Sequence, residues 1–133
     1  MKQIFGDTFF YIALLNPRDR AHRDAITTAR ELTGQIVTTR AVLLEVGDAL
    51  CAHPLRAKFV EFIQSLSEDG DTIIVDVDAQ LFGRALELFH RRPDKDWPLT
   101  DCISFTVMSD MAITDALTAD DHFRQAGFNP LFQ

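Results

Sequence analysis

The feature that most constrains this chain is an alternation. Short runs rich in β-branched and aromatic residues recur along it: Gln3-Ile4-Phe5, Gln35-Ile36-Val37-Thr38, Thr72-Ile73-Ile74-Val75 and Ala112-Ile113-Thr114-Asp115-Ala116-Leu117. Between them lie stretches with helical periodicity. Strands apolar on both sides need cover on both faces, and strand–helix alternation supplies it through crossover helices over a parallel sheet. The expected class is therefore α/β, with helices on either side of the sheet. The length of 133 residues suits a single domain over 1–133.

The helical stretches carry their own punctuation. Thr8 to Leu15 is stopped by Asn16-Pro17, and Arg20 to Leu32 has Ala21, Ala25, Ala29 and Leu32 on one side, with Gly34 expected as its cap. Thr39 is placed to cap a helix over Arg40 to Ala52 that ends before Pro54. Leu55 to Leu66 has Phe59, Phe62, Ile63 and Leu66 at i, i+3, i+4 and i+7, and Asp69-Gly70-Asp71 reads as a turn. Asp78 caps a helix with Leu81, Phe82, Ala85, Leu86 and Phe89. The charged, proline-bearing stretch Arg91 to Pro98 is a loop, and Leu99 to Asp110 is helical. A short helix over Asp121 to Ala126, capped by Gly127, leads to a last strand, Phe128 to Phe132, which Pro130 demotes to an edge. Thr72 to Val75, a β-branched run, is expected to be a buried strand.

Charge and motif content exclude several functions. A net charge of −7 and a pI near 4.9 oppose binding by simple phosphate neutralisation. Cys51 and Cys102 form no metal-binding pattern and are expected to be reduced and buried. The longest apolar run, Phe9 to Leu15, is too short to span a bilayer and follows Asp7 rather than a basic segment, so the expected location is cytoplasmic, away from membranes. There is no GxxxxGK[ST], GxGxxG or GxSxG motif. His22, His53, His90 and His122 show no mutual ligand spacing and read as surface or partly buried side chains.

What remains is the placement of carboxylates. Ligands of open α/β sheets bind beyond the carboxyl ends of strands, where the strand order reverses. Asp7 follows the first strand directly and Asp120 follows the fourth, so the two meet if those strands are neighbours. Asp101 lies in the first turn of the helix before the fourth strand. Glu45 lies beside the apolar stripe Val42, Val46 and Ala49. Each acid alone has an ordinary explanation: Asp7, Asp101 and Asp120 sit where carboxylates favour helix N-termini, and Glu45 could be solvated. Together they would repel unless a cation sits among them, and an all-oxygen set suits Mg²⁺ or Mn²⁺ rather than zinc.

Four stretches also carry a resemblance: Ile4-Phe5-Gly6-Asp7-Thr8, Leu43-Leu44-Glu45-Val46, Leu99-Thr100-Asp101-Cys102-Ile103-Ser104-Phe105, and Ala116-Leu117-Thr118-Ala119-Asp120-Asp121-His122-Phe123-Arg124-Gln125-Ala126-Gly127-Phe128. The chain resembles the PIN-domain family, particularly its VapC-type ribonuclease toxins, over nearly its whole length. The resemblance implies a PIN-like three-layer α/β/α sandwich with a five-stranded parallel sheet of order 3-2-1-4-5. It implies a Mg²⁺- or Mn²⁺-dependent ribonuclease with Asp7, Glu45, Asp101 and Asp120 as the catalytic, metal-holding acids. Thr8 and Thr118 are implied as supporting polar groups. Family members often carry a Ser shortly before the third acid, where this chain has Trp97-Pro98-Leu99-Thr100. Asp121 beside Asp120 is a rival for the fourth position, and the Thr118-x-Asp120 spacing favours Asp120.

The expected activity is endonucleolytic hydrolysis of RNA, leaving 5′-phosphate and 3′-hydroxyl ends. Arg40, Arg91 and Arg92 are the basic residues expected to meet RNA phosphates. The resemblance also implies a small antitoxin protein as partner and a homodimer, with the late helices near Trp97 and Met108 contributing to it. Phe9-Phe10-Tyr11-Ile12 and the helix bearing Phe59, Phe62 and Ile63 are candidate walls of an antitoxin groove. Two other readings stand beside this one. In the first, the domain serves mainly as an antitoxin- or RNA-binding module with little catalysis. In the second it is a small-molecule Mg²⁺ phosphohydrolase, although the Asp-x-Asp pattern many of those use is missing after the first strand.

Overall fold

The central strand is β1 (Gln3–Gly6), flanked on one side by β2 (Gln35–Thr39) and β3 (Thr72–Val75), and on the other by β4 (Asp115–Leu117) and β5 (Asn129–Pro130). The structure, a computed structural model, describes residues 2–133. Every pairing is parallel and the order is β3-β2-β1-β4-β5, as the family resemblance implies. The connections are α1 (Thr8–Leu15), α2 (His22–Glu31), α3 (Arg40–Ala49), α4 (Leu55–Asp69), α5 (Ala79–Arg91), α6 (Leu99–Asp110) and α7 (Asp121–Gln125). The path runs outward from β1 to β3 and then returns across to β4 and β5. Right-handed crossovers in opposite directions carry the helices to opposite faces of the sheet.

The core explains why β1 and α6 are so apolar. Phe5 and Val37 are fully buried, and Phe5 packs against Phe123. Phe105 on α6 is the hub of an aromatic cluster with Trp97, Phe123 and Phe128. Residues Asp101 to Met108 are all buried, so α6 lacks the one-sided stripe of a surface helix. The only polar side chains in that run are Asp101, Ser104 and Thr106, and the two hydroxyls donate to the carbonyls one turn back, of Thr100 and Cys102.

Several local expectations shift. β3 is the sheet's outer strand and half-buried along its length, because a β-branched run looks the same on an edge as in the centre. Helix α3 stops at Ala49, short of Ala52. Helix α4 runs on to Asp69, and Gly70 at φ 73° is its left-handed cap rather than the middle of a free turn. Ala112 takes φ 55° in a turn after α6, so β4 begins only at Asp115. Helix α2 ends at Glu31, and Gly34 does not cap it. A Cβ on Gly34 would lie 2.0 Å from the Lys2 carbonyl, so this glycine lets β2 start against Lys2. Cys102 is buried as expected, whereas Cys51 is exposed in the segment after α3. Trp97 and Met108 are both buried, so neither offers surface to a second copy. Phe82, Leu86 and Phe89 instead leave an exposed apolar stripe along α5.

Gly6 is the tightest position at the end of β1. A Cβ there would sit 2.6 Å from the Tyr11 hydroxyl and 2.9 Å from Ile36 Cγ2. Gly6→Ala should therefore cost about 1–3 kcal/mol by overpacking. Urea unfolding is expected to show a lowered midpoint, partly restored when Tyr11→Phe removes the oxygen that the new methyl meets. An unchanged midpoint in Gly6→Ala would contradict the packing described.

Candidate metal centre

The register of β1 on β4 builds the site. Gly6 pairs with Leu117, which brings the next residues, Asp7 and Thr118, level at the carboxyl ends of adjacent strands. Thr118 Oγ1 donates to Asp7 Oδ2 at 2.7 Å and accepts from the Asp120 backbone N–H at 3.0 Å. One buried hydroxyl thus ties the acid after β1 to the acid after β4. Asp7 is the N-cap residue of α1 by position, but its carboxyl makes no capping bond to that helix and turns to Thr118 instead. Asp120 does cap α7, with Oδ1 accepting from the His122 N–H at 2.9 Å.

Asp101, in the first turn of α6, is buried at 6 % exposure. Its Oδ2 lies 3.0 Å from His122 Nδ1, and the same nitrogen is 3.3 Å from Asp120 Oδ1. Glu45 reaches the site from α3, where Thr8 Oγ1 donates to its Oε1 at 2.6 Å. Asp7, Thr8, Glu45, Asp101 and Asp120 line one cavity of about 470 Å³, together with Phe9, Ile12, Pro98 and Ala119. All four acids expected from the sequence converge there, and Thr8 and Thr118 hold two of them. Asp121 faces outward and pairs with Arg124, which leaves Asp120 as the fourth acid of the crevice.

The electrostatics follow from that crowding. Burial pushes the Asp7 carboxyl up to about 7; the Thr118 hydrogen bond pulls against it, and the nearby Asp101 and Asp120 charges add to the rise. Asp101 is raised to about 6, again chiefly by burial, opposed by the His122 hydrogen bond and reinforced by Asp120 and Glu45. Acids this close are poorly accommodated as bare anions. A donor set of several carboxylates at the end of a rigid sheet fits a divalent cation, which would stabilise the ionised forms.

Other assignments distribute differently. Arg40 is held by Asp76 through two bonds of 2.9 and 3.0 Å and lines a separate apolar groove between α3 and α4, with Leu43, Leu44, Phe59 and Ile63. Arg92 pairs with Asp94 and stacks 5.1 Å over the Trp97 ring. Arg91 and Arg92 line a different cavity, shared with Trp97 and Phe105, so none of the three arginines lines the acidic crevice. Of the proposed groove walls, Phe9 and Ile12 line the acidic crevice, while Phe10 and Tyr11 are core and Phe62 packs on Tyr11.

His122 is the residue that sequence reasoning missed. The search for histidines spaced for one another found none, yet this one meets acids. The available signal was its position two residues beyond Asp120, inside the same helix cap.

A parallel sheet of this order with an acid crevice at the β1/β4 switch point defines the class, and the chain belongs to the PIN domain family, which matches residues 4–129. It is 28% identical over 128 residues to the 23S rRNA-specific endonuclease VapC20 of Mycobacterium tuberculosis, covering 94% of this chain and 95% of the relative. The crystal structure of that VapC20, described as a sarcin-ricin loop cleaving toxin, superposes with a TM-score of 0.85 at 27% identity over the same shares of the two chains. The DNA-bound VapBC2 of Rickettsia felis shares the fold, with a TM-score of 0.66 at 12% identity over 96% of each chain. Among the described residues no helix is long and apolar enough to cross a membrane.

The raised acids give a stability signature. With Asp7 near 3.8 when unfolded and about 7 when folded, the folded state holds the extra proton between those values. In EDTA, stability should be greatest near pH 4 and fall as pH rises through 7, by a few kcal/mol at most. Thermal melts from pH 4 to 8 should show this decline in the native protein and a flatter profile in Asp7→Asn. Divalent cation should restore the loss at pH 7 to 8. A native profile that rises over this range without metal would be incompatible with the buried acid cluster.

Proposed function

We propose that this protein is a divalent-metal-dependent endoribonuclease, the toxin of a toxin–antitoxin pair, with Asp7, Glu45, Asp101 and Asp120 as its metal-holding catalytic acids. The observation that carries the reading is the convergence of these four acids in one crevice, tied across β1 and β4 by Thr118. The relative's specificity makes ribosomal RNA the first substrate class to examine. Mg²⁺ or Mn²⁺ is the ion proposed for the carboxylates.

A bound ion would acidify a water for in-line attack at phosphorus and offset charge on the phosphate and leaving oxygens. The chain's own residues do the rest. Thr118 fixes the rotamer of Asp7, and Thr8 fixes Glu45, so the carboxylates are placed before substrate arrives. Phe9, Ile12 and Pro98 give the crevice an apolar wall on which a base or ribose can rest. Neither cysteine and no serine lines the crevice, and water is the nucleophile proposed for the reaction.

The same crevice suits a basic segment of an antitoxin, and the separate groove of Leu43, Leu44, Phe59 and Ile63 suits apolar residues of such a partner. Self-association belongs to this proposal as well. Phe82, Leu86 and Phe89 are each nearly half exposed at i, i+4 and i+7, an apolar stripe that a second copy could cover.

The test is cleavage of ribosomal RNA, with transfer RNA and message as comparisons. Native protein with Mg²⁺ or Mn²⁺ should cut, leaving 5′-phosphate ends. EDTA, Asp7→Asn and Asp101→Asn should each reduce the rate by on the order of 100-fold or more. Equal cutting in all of these conditions would sink the assignment. Turnover of generic phosphate esters without RNA cleavage would favour a small-molecule phosphohydrolase. Sedimentation should give a dimer, shifted toward monomer by Phe82→Glu with Phe89→Glu. A native monomer at micromolar concentration would remove the self-association arm.

A further inference from the structure

Among the described residues, Asp101, Asp120 and His122 each offer one donor atom within 4.8 Å of the others. We propose that His122 Nδ1 is a direct ligand of the divalent ion beside Asp101 and Asp120, making this a mixed nitrogen–oxygen centre that holds Mn²⁺ more tightly than Mg²⁺. The inference rests on the metal-nuclease reading above and specifies the ion that site takes.

The distances carry the argument. Two adjacent ligands of an octahedral ion, with bonds of about 2.1 Å at right angles, lie about 3 Å apart. His122 Nδ1 is 3.0 Å from Asp101 Oδ2 and 3.3 Å from Asp120 Oδ1, so the nitrogen shares two such edges with carboxylate oxygens. A hydrogen bond occupies the same separation, and an ion entering between these atoms replaces the ring proton without moving the side chain far. The backbone supports that placement. The His122 N–H donates to Asp120 Oδ1, so the cap of α7 holds the imidazole and the carboxylate in one fixed relation. His122 is also mostly covered rather than free, with its side chain 28 % exposed.

The consequence is selectivity. Mg²⁺ prefers an all-oxygen shell and keeps several waters, whereas imidazole is a good donor to first-row transition ions. A nitrogen at this corner therefore raises affinity for Mn²⁺ more than for Mg²⁺. The other histidines do not compete for the role: His22 bonds the Ala13 carbonyl at 2.7 Å, and His53 and His90 are exposed elsewhere.

The experiment is pulsed electron paramagnetic resonance of the whole protein loaded with Mn²⁺ alone, with and without ¹⁵N-labelled histidine. A directly bound nitrogen coupling should appear, change with the label, and vanish in His122→Gln. In calorimetric titrations that substitution should weaken Mn²⁺ by on the order of 10-fold and Mg²⁺ by clearly less. If Mn²⁺ binds and RNA is cut but no nitrogen coupling is seen in the native protein, His122 is a hydrogen-bonding neighbour only and this proposal fails while the nuclease reading stands. If neither ion binds saturably, both fail together. The labelled native protein keeps the result decisive even where the variant folds poorly.

Discussion

The structure turns on one hydroxyl. Thr118 is fully buried between two carboxylate-bearing segments, donating to Asp7 and accepting from the Asp120 N–H. Without such a tether, acids at the ends of neighbouring strands would turn to solvent to escape desolvation and one another. The parallel pairing of β1 with β4 puts Thr118 beside Asp7, and that pairing exists only because the order reverses at β1. The sheet's topology and the crevice are therefore a single arrangement. Tyr11 closing against Gly6 completes it from below, since a side chain at that glycine would displace the very residues that aim Asp7.

Seen this way, the protein's acidity has two components. Part of it is concentrated at one crevice, where burial and mutual repulsion hold Asp7 and Asp101 well above the ordinary carboxylate range. A smaller part sits in surface ion pairs such as Arg40–Asp76, Arg84–Asp110 and Arg92–Asp94, which also neutralise those three arginines. Such a surface cannot gather nucleic acid by long-range attraction alone. The proposed activity therefore asks for local contacts, and Phe9, Ile12 and Pro98 supply an apolar wall beside the acids.

Legibility from sequence followed the range of the interactions involved. Asp7 and Asp120 were visible because a residue just past a strand is at the switch-point end of the sheet whatever the packing. Glu45 was visible because helical periodicity puts it at the edge of a buried stripe. Strand order was not in the periodicity at all; it came through the family resemblance. The depth of β3 is not legible, because Thr72 to Val75 would be equally apolar in the centre. The end of α4 is not legible either, because whether Gly70 caps a helix or bends a loop depends on its backbone angle. His122 was invisible for a different reason. Its partner Asp101 is 21 residues away on another helix, and only the packing of α6 against α7 brings them together.

That last case separates two kinds of acid in this site. Asp7 and Asp120 are positioned by strand ends and bonded through Thr118, so their geometry is inherited from the sheet. Asp101 is positioned by α6, whose depth is set by the aromatic hub of Phe105 against Trp97, Phe123 and Phe128. Phe123 follows His122 directly, and its burial under Phe5 and Phe105 fixes where α7 begins. The core therefore sets the His122–Asp101 distance as firmly as the sheet sets the Asp7–Thr118 one. A packing change at Phe105 or Phe123 would be felt first as a loosening of the α6–α7 corner of the crevice, while the β1–β4 corner kept its shape.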